Sequence, residues 1–263
     1  MQTLLLTGGS SGIGLATVQY FAGRGWRVFE LSRHGSSYKH GEGEIIHFDC
    51  DVCDEFNVKQ AVTKVMEQTD HIDVVISNAG YGISGAIEFT LTDDARHQFD
   101  VNFFGAHNLM KAVLPILREQ KGGRIIFTSS VAAVFAIPYQ AFYSASKSAL
   151  NAYALALQNE LRDFNIHVSV MMPGDVASGF THAREKNEVG NRIYTRIHAA
   201  VHAMERDEQA GMRPHRMAVR LYHLAVKRNP EPQHVAGFQY KFLCFLDRLM
   251  PKRFSNWIVG KMY

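Results

Sequence analysis

The feature that most constrains the fold of this chain is a glycine-rich turn between its first strand and its first helix. The apolar residues Thr3–Leu6 predict a strand, and Ile13–Ala22 carries apolar side chains at helical spacing. The turn Gly8–Gly14 joins them with the pattern Gly-x-x-x-Gly-x-Gly. Glycines permit a close backbone approach, and a helix N-terminus directs N–H groups and the positive end of its dipole at phosphate. The turn therefore predicts a dinucleotide-binding site.

Strands and helices alternate along the rest of the chain. Strands are predicted at Trp26–Leu31, Ile45–Phe48, Val74–Ser77, Arg124–Thr128 and His167–Met171. Helices are predicted at about Glu55–Glu67, Asp94–Lys111 (with an extension to Leu117 left open) and Tyr143–Asp163. Helical segments of this length between strands indicate βαβ units. The predicted fold class is α/β, a doubly wound, Rossmann-like parallel sheet with helices on both faces.

Residues 1–263 show no linker or repeat, and they predict a single domain with a variable C-terminal substrate-binding portion. The periodicity weakens after Phe180. Residues 180–214 are predicted to form a substrate loop or lid that contains an amphipathic helix. A helix at Met217–Lys227 and a last strand at His234–Phe238 are expected next, followed by a C-terminal extension over residues 238–263.

Composition argues against several classes of function. The formal net charge is +3 without a run of like charges, so nucleic acid is not a predicted partner. Three cysteines do not make a disulfide framework, and the pair His198 and His202 lacks a nearby third ligand, so no metal site is predicted. No apolar stretch approaches the ~18 residues of a membrane span. The N-terminal residues lack signal-peptide features, which leads to the expectation of a cytoplasmic protein.

The clearest chemical signal is the pair Tyr143 and Lys147, four residues apart on a predicted helix. Residues at this spacing lie on one face. A free tyrosine has a pKa of ~10, and a nearby ammonium group favours the phenolate and lowers that pKa. A tyrosine tuned in this way can give a proton to a carbonyl oxygen or take one from an alcohol.

These motifs, in this order, resemble the short-chain dehydrogenase/reductase family in its basic form of ~250 residues. Its signatures Thr-Gly-x-x-x-Gly-Ile-Gly and Tyr-x-x-x-Lys stand at Thr7–Gly14 and Tyr143–Lys147. The long C-terminal part is similar to that of members that handle steroids, retinoids or other lipids. The resemblance implies an oxidoreductase that uses a nicotinamide cofactor.

The resemblance also implies a catalytic group of four residues. Tyr143 is expected to be the general acid/base, and Lys147 to lower its pKa and hold the nicotinamide ribose. Ser130 is expected to donate a hydrogen bond to the substrate oxygen; it is favoured over Ser129 because it lies thirteen residues before the tyrosine. Asn102 is expected to position a water that connects the lysine to solvent.

The family pattern further implies a set of cofactor contacts. Asp51-Val52 matches the pair that contacts the adenine ring, and this explains the Cys50–Cys53 segment better than a thiol motif does. Ser77–Gly80 matches a segment that holds the sheet beside the cofactor, and Pro173–Ser178 a segment that contacts the nicotinamide amide. The predicted cofactor-binding residues are Gly8, Ser10, Ser11, Gly12, Ile13, Gly14, Arg33, Asp51, Val52, Asn78, Ala79, Gly80, Tyr143, Lys147, Pro173, Gly174, Val176 and Ser178.

The choice between the two nicotinamide cofactors depends on the end of the second strand. The family's acidic position falls on Ser32, and the next residue is Arg33, whose guanidinium suits the 2′-phosphate of NADP(H). NADP(H) is therefore the expected cofactor, with NAD(H) left possible. The alternative uses Glu30 as the ribose-binding acid and favours NAD. Ser11 stands where NADP-preferring members often carry a second basic residue.

The predicted reaction is hydride transfer between NADP(H) and a secondary alcohol or ketone, expected to be an apolar small molecule. The apolar segment Val131–Pro138 is either a substrate wall or buried support for the sheet. A reductase of 3-oxoacyl chains on an acyl carrier is the alternative enzyme. A cofactor-binding sensor without catalysis is the alternative from another class. The expected assembly is a homodimer or homotetramer.

The segment Tyr240–Tyr263 is aromatic, basic and amphipathic. Three interpretations remain open for it. It packs on its own domain near the substrate entrance, or it forms a subunit contact, or it rests on a membrane surface.

Overall fold

The computed structural model describes the backbone of residues 1–263 and every side chain except that of His182. Ten strands form one large and one small sheet. In chain order they are β1 Thr3–Thr7, β2 Arg27–Ser32, β3 Tyr38–His40, β4 Gly43–Asp49, β5 Val74–Ser77, β6 Ile83–Ser84, β7 Gly123–Thr128, β8 Ile166–Pro173, β9 Glu185–Lys186 and β10 Gln233–Ala236. The large sheet has the order β10-β8-β7-β5-β1-β2-β4-β3, and β6 pairs with β9 in the small one.

Ten α-helices connect or follow these strands. They are α1 Gly12–Ala22, α2 Glu55–Met66, α3 Thr92–Phe99, α4 Gly105–Glu119, α5 Ala141–Glu160, α6 Phe180–Ala183, α7 Ile197–Gln209, α8 Pro214–Val226, α9 Phe238–Leu249 and α10 Lys252–Met262. Seven strands of the large sheet run parallel, and only β3 is antiparallel to its neighbour β4. The predicted Rossmann-like sheet is confirmed, with a short antiparallel edge added.

Two apolar layers cover the sheet. In β1, Leu4 and Leu6 point to one face and Leu5 to the other, as the alternation of a strand requires, and all three are fully buried. The Leu5 face packs against α2, α4 and α5, and the opposite face against α1 and α8. A strand buried on both faces is typical of the centre of a parallel sheet.

The strand order of the sheet changes direction at β1. Strand β2 pairs with one edge of β1 and β5 with the other, so that Thr7 lies opposite both Leu31 and Ser77. In open parallel sheets such a switch point leaves a crevice outside the carboxyl ends of the strands, where ligands bind. The fold therefore places the glycine turn at the mouth of this crevice.

Two predicted elements differ in the structure. The long helix over Asp94–Lys111 is interrupted by a π-helical turn at Asp100–Phe104, and its second half runs to Glu119. The last strand ends at Ala236, and Phe238 begins α9 instead of ending that strand. The edge strand β3 was not predicted. None of the described helices is long and apolar enough to cross a membrane.

Candidate active site

The turn after β1 is shaped by glycines that no larger residue could replace. Gly12 has a φ of 52°, in the left-handed region, and it begins α1. A Cβ atom on Gly14 would lie 1.9 Å from the carbonyl oxygen of Gly8. The first turn of α1 contains no acidic residue, and the Ser11 hydroxyl makes no capping hydrogen bond to any described group. The first N–H groups of the helix are thus left for an anion, which is the property a pyrophosphate site needs.

Asn78 fastens this turn to the next strand. Its side-chain amide donates to the carbonyl oxygen of Gly8 at 3.0 Å, and its backbone N–H donates to the Thr7 hydroxyl at 3.1 Å. The same hydroxyl accepts from the N–H of Ala79 at 3.2 Å. The segment after β5 therefore holds the phosphate-binding turn in place.

A buried acid supports the turn from below. The carboxylate of Glu30 accepts a hydrogen bond from the N–H of Gly9 at 2.8 Å and lies 2.5 Å from Nδ1 of His47. The ring of His47 also lies 3.0 Å from Asp49 through Nε2. Burial lowers the pKa of His47, but the hydrogen bonds and charges of Asp49 and Glu30 outweigh it, so the pKa is raised. Glu30 is therefore a buried structural acid and does not line the cleft.

The Tyr143–Lys147 pair lies on α5, beside the carboxyl end of β7. Lys147 is buried and Tyr143 is half-buried, and the Lys147 ammonium lies 5.9 Å from the centre of the Tyr143 ring. Lys147 donates a hydrogen bond to the carbonyl oxygen of Thr128 at 3.0 Å. The predicted spacing thus brings the two groups to one face of the helix.

Burial dominates the protonation of both groups. It raises the pKa of Tyr143 to about 12, and hydrogen bonding with the Ser130 hydroxyl acts in the opposite direction. Burial lowers the pKa of Lys147 to about 8 because the ammonium is the charged form. The expectation that Lys147 lowers the tyrosine pKa is not met in this structure, where burial raises that pKa. Tyr143 therefore carries its proton at neutral pH.

The two neighbouring serines have different partners. Ser129 is buried and donates to the carbonyl oxygen of Lys147 at 3.3 Å, whereas Ser130 begins a short turn and accepts from the N–H of Ala132 at 3.1 Å. The hydroxyl of Ser130 retains its proton for another acceptor. This geometry favours Ser130, which is the serine that the spacing predicts.

Asn102 lies in the π-helical turn between α3 and α4, and its side chain is buried behind the cleft wall. Its amide accepts from the N–H of Tyr81 and donates to the carbonyl oxygen of Tyr81, both at 3.0 Å, and it also donates to Ser146. A Cβ atom on Gly80 would lie 3.1 Å from Oδ1 of Asn102 and 3.3 Å from the Lys147 ammonium. Asn102 therefore fixes the loop after β5 close to the lysine. π-Helical turns are frequent at functional sites.

One cleft of about 460 Å³ collects the predicted residues. Every predicted cofactor residue lines it, from the glycine turn through Arg33 and Asp51 to Ser178, and so do Ser130, Tyr143 and Lys147. Among the predicted catalytic residues only Asn102 lies outside the lining. Ser178 approaches the turn closely, because a Cβ atom on Gly12 would lie 3.4 Å from its own Cβ.

The far end of the cleft contains residues that the sequence did not predict. Phe180 lies against the Tyr143 ring, with 5.4 Å between the ring centres. Two carboxyl groups, Asp175 and Glu208, line the cleft. Burial raises the pKa of Asp175, which accepts a hydrogen bond from the Tyr240 hydroxyl, whereas Glu208 pairs with Arg184 and Thr181. Asp175 stands at a variable position of the Pro173–Ser178 motif, and Thr181, Arg184, Glu208 and Tyr240 lie outside any motif, so no local pattern identified this group.

Different residues of the segment Val131–Pro138 line the cleft and support the sheet. Val131, Ala132 and Ile137 line the cleft, while Val134 packs against the core. Cys50 and Cys53 also line the cleft, and burial raises the pKa of each thiol to about 12, which disfavours a reactive thiolate. The described residues contain no group of three or more His, Cys, Asp or Glu side chains placed to hold a metal ion.

A parallel sheet with a glycine turn at its switch point and a tyrosine–lysine helix beside it defines a Rossmann-like oxidoreductase. Residues 2–189 match the family model described as short chain dehydrogenase. The chain is 37% identical to a 3-ketodihydrosphingosine reductase of Bacteroides thetaiotaomicron, over 87% of this chain and 85% of the relative. It is 32% identical to the probable short-chain type dehydrogenase/reductase VdlC of Helicobacter pylori, over 96% and 93%.

The chain therefore belongs to the short-chain dehydrogenase family, and it is an oxidoreductase that acts on CH–OH or carbonyl groups. Solved structures share its fold. A short-chain dehydrogenase from Streptomyces avermitilis superposes with a TM-score of 0.82 at 23% identity, over 94% of this chain and 93% of that one.

Two further solved structures contain a bound nicotinamide nucleotide. A Burkholderia phymatum short-chain dehydrogenase/reductase in complex with NAD has a TM-score of 0.79 at 20% identity, over 94% and 92% of the chains. An alcohol dehydrogenase from Thermococcus sibiricus complexed with 5-hydroxy-NADP has a TM-score of 0.71 at 22% identity, over 89% and 95%. At these identities the likeness concerns the fold alone.

Proposed function

We propose that this protein is an NADP(H)-dependent reductase of a long-chain, apolar ketone, and that it interconverts the ketone with its secondary alcohol. The observation that carries the proposal is the single cleft in which the glycine turn, Arg33 and the tyrosine–lysine pair come together. The bound nicotinamide would supply or accept the hydride. The residues of the chain would bind the cofactor, orient the substrate and move a proton.

The residues at the adenosine end support a preference for NADP(H). Arg33 is exposed at the end of β2 and lines the cleft, where its guanidinium can pair with a phosphate. Glu30, the acid that would favour NAD, is buried and is engaged by Gly9 and His47. A buried carboxylate with these partners is not free to accept hydrogen bonds from a ribose.

The proton chemistry follows from the state of Tyr143. Because its pKa lies at about 12, it is protonated at neutral pH and can donate to a ketone oxygen that gains charge during reduction. The Ser130 hydroxyl can donate a second hydrogen bond to the same oxygen and stabilise that charge. The Lys147 ammonium, held by Thr128, places a positive charge near the tyrosine.

The lining of the far end supports a substrate with an apolar body and a small polar group. Val131, Ile137 and Phe180 supply apolar surface, whereas Asp175 and Glu208 supply carboxyl groups that can accept from a hydroxyl or an ammonium. The relative from Bacteroides is named a 3-ketodihydrosphingosine reductase, and that compound is a long-chain ketone with an amino group beside the carbonyl. We infer that this chain acts on a ketone of the same chemical class.

The test is NADPH oxidation with 3-ketodihydrosphingosine, an unsubstituted long-chain ketone, a short ketone and a 3-oxoacyl thioester. We expect the long-chain amino ketone to give the highest kcat/KM. Faster turnover of the thioester would contradict the substrate class and favour a 3-oxoacyl reductase.

A matched pair of variants tests the proton donor. Tyr143→Phe should lower kcat by roughly 10²- to 10⁴-fold, because general acid catalysis is lost, while NADPH still quenches the protein fluorescence. Tyr153→Phe lies on the same helix but packs against His107 outside the cleft, and it should leave kcat within a factor of two or so. Unchanged turnover in Tyr143→Phe would exclude this tyrosine as the donor.

A further inference from the structure

The C-terminal helix α9 is amphipathic with its apolar stripe turned outward. Phe238, Phe242, Phe245 and Leu249 recur at helical spacing and share one face. Their side chains are 88%, 53%, 53% and 69% exposed, respectively. The usual helix of a globular protein buries such a stripe against the core.

Helix α10 repeats this arrangement. Phe254 and Trp257 are 50% and 58% exposed, and their rings stack with 5.9 Å between the centres. Together, α9 and α10 hold eight of the seventeen large apolar side chains that are exposed among the described residues. We call the outward stripe of α9 with Phe254 and Trp257 the apolar face.

The inner sides of both helices are fastened to the domain. On α9, Tyr240 packs against Gly174 and donates to Asp175, and Cys244 is buried. On α10, Ser255 and Val259 are buried. The apolar face is therefore held in position, and its exposure does not come from a detached tail.

The charges around the apolar face indicate what covers it. Residues 238–263 contain five basic residues and one acidic residue, a larger positive excess than the +3 of the whole chain. The single acid, Asp247, is buried and pairs with Lys252 at 2.5 Å. A symmetric contact between two copies would bring these like charges together, whereas an anionic surface complements them.

We propose that α9 and α10 dock this protein on the surface of anionic lipid bilayers, with the apolar face in the boundary between headgroups and acyl chains. Exposed Lys241, Arg248 and Arg253 flank that face and would meet the lipid phosphates. The helices lie on the surface and do not cross it.

The apolar face lies close to the cleft. The inner side of α9 touches Gly174 and Asp175, which line the cleft, while its outer side carries the apolar stripe. The bilayer would then lie about one helix diameter, ~10 Å, from the substrate end of the cleft. This part of the inference rests on the proposed function, since it supposes a lipid-like ketone that reaches the cleft from the bilayer.

The test uses the two tryptophans of the full chain. Trp26 is buried in the core and Trp257 is exposed on α10. Mixing the protein with phosphatidylcholine–phosphatidylglycerol vesicles should shift the tryptophan fluorescence emission to shorter wavelength, because Trp257 would enter the bilayer. The Trp26→Phe variant should keep the shift, and Trp257→Phe should lose it. Vesicles of phosphatidylcholine alone should bind the protein at least roughly 10-fold more weakly.

Substitutions separate the two contributions to binding in a sedimentation assay with the same vesicles. Combining Phe242→Ser with Phe245→Ser should weaken partitioning by roughly 100-fold. Combining Lys241→Gln, Arg248→Gln and Arg253→Gln should weaken it by a similar factor, at roughly fivefold for each charge. Phe56→Ser removes an even more exposed aromatic ring on α2 and should leave partitioning unchanged.

Partitioning is measured without turnover, so its outcome is independent of the proposed substrate. Equal binding to anionic and neutral vesicles, or binding that persists in both sets of variants, would overturn the proposal. A chain that sediments as a dimer, becomes monomeric on Phe242→Ser with Phe245→Ser, and leaves anionic vesicles unbound would overturn it in favour of a subunit contact.

Discussion

The first strand and the last helices of this protein treat apolar residues in opposite ways. Leu4, Leu5 and Leu6 of β1 are fully buried, whereas Phe238 of α9 is 88% exposed. Both segments are rich in large apolar side chains, so composition does not distinguish them. The difference lies in their neighbours. Strand β1 is covered by helices on both faces of the sheet, while α9 has a partner on one side only.

The two regions consequently owe their stability to different residues. The nucleotide-binding part depends on its large side chains, which fill the core on both faces of the sheet. The C-terminal helices are fixed by small and polar groups on their inner sides, such as Cys244 and the hydroxyl of Tyr240. Their large aromatic residues contribute little burial in the isolated chain.

The largest expected effect is a loss of stability, and it tests whether the core and the apolar face differ in burial. Phe127→Ala in β7 removes a fully buried ring and should lower the free energy of unfolding by about 3–5 kcal/mol, through lost burial and a cavity. Phe245→Ala on the apolar face should change it by no more than about 0.5 kcal/mol. Urea unfolding followed by circular dichroism measures both. Equal losses would mean that the apolar face is buried in solution.

The second prediction concerns a charged group in the nucleotide-binding part. Arg33→Ala should raise the KM for NADPH by roughly 10- to 100-fold, since a hydrogen bond to a charged phosphate is lost, and should alter the KM for NADH little. Arg162→Ala is the control, because Arg162 is exposed between α5 and β8, bonds Asn159 and does not line the cleft. Steady-state kinetics with both cofactors checks this. An equal rise in the KM for NADPH and for NADH would show that Arg33 does not select between the two cofactors.

The smallest effect contrasts two histidines, one near the nucleotide turn and one on the strand that leads into α9. The pKa of His47 is raised by its two carboxylates, so its contribution to stability is complete below its ordinary pKa of 6.5 and is lost as the pH rises through the raised value. His234, on β10 next to α9, has a pKa lowered mainly by burial, so its contribution has the opposite sign and grows with pH.

The measurement is the free energy of unfolding between about pH 5 and 8, with slopes of at most about 1.4 kcal/mol per pH unit for one proton. Relative to wild type, His47→Gln should lose most stability at the acidic end. His234→Gln should gain stability at that end. Parallel curves for the two variants would contradict the assignment of opposite pKa shifts.

The sequence predicted the sheet because its central strands are continuous apolar runs, and it predicted the nucleotide turn because glycine spacing is local. It missed β3, whose residues Tyr38–His40 are polar and too short to show a period. It also missed the π-helical turn at Asp100–Phe104, since one extra residue per turn barely disturbs an apolar pattern.

The limits are similar at the candidate site. The predicted cofactor residues stand in short motifs, and the fold brings them to one cleft. Arg184 and Glu208 stand twenty-four residues apart in the variable part, and only tertiary packing joins them beneath the substrate end. For α9 the sequence shows an amphipathic helix, but a period cannot tell which side meets the domain.

Under the proposed preference for NADP(H), the buried carboxylate of Glu30 has a practical consequence for a redesign towards NADH. Because that acid already supports Gly9 from inside the protein, it cannot be recruited to the nucleotide without loosening the turn. An engineer should leave Glu30 untouched and install the new acid two residues later, as Ser32→Asp, where the strand ends at the cleft.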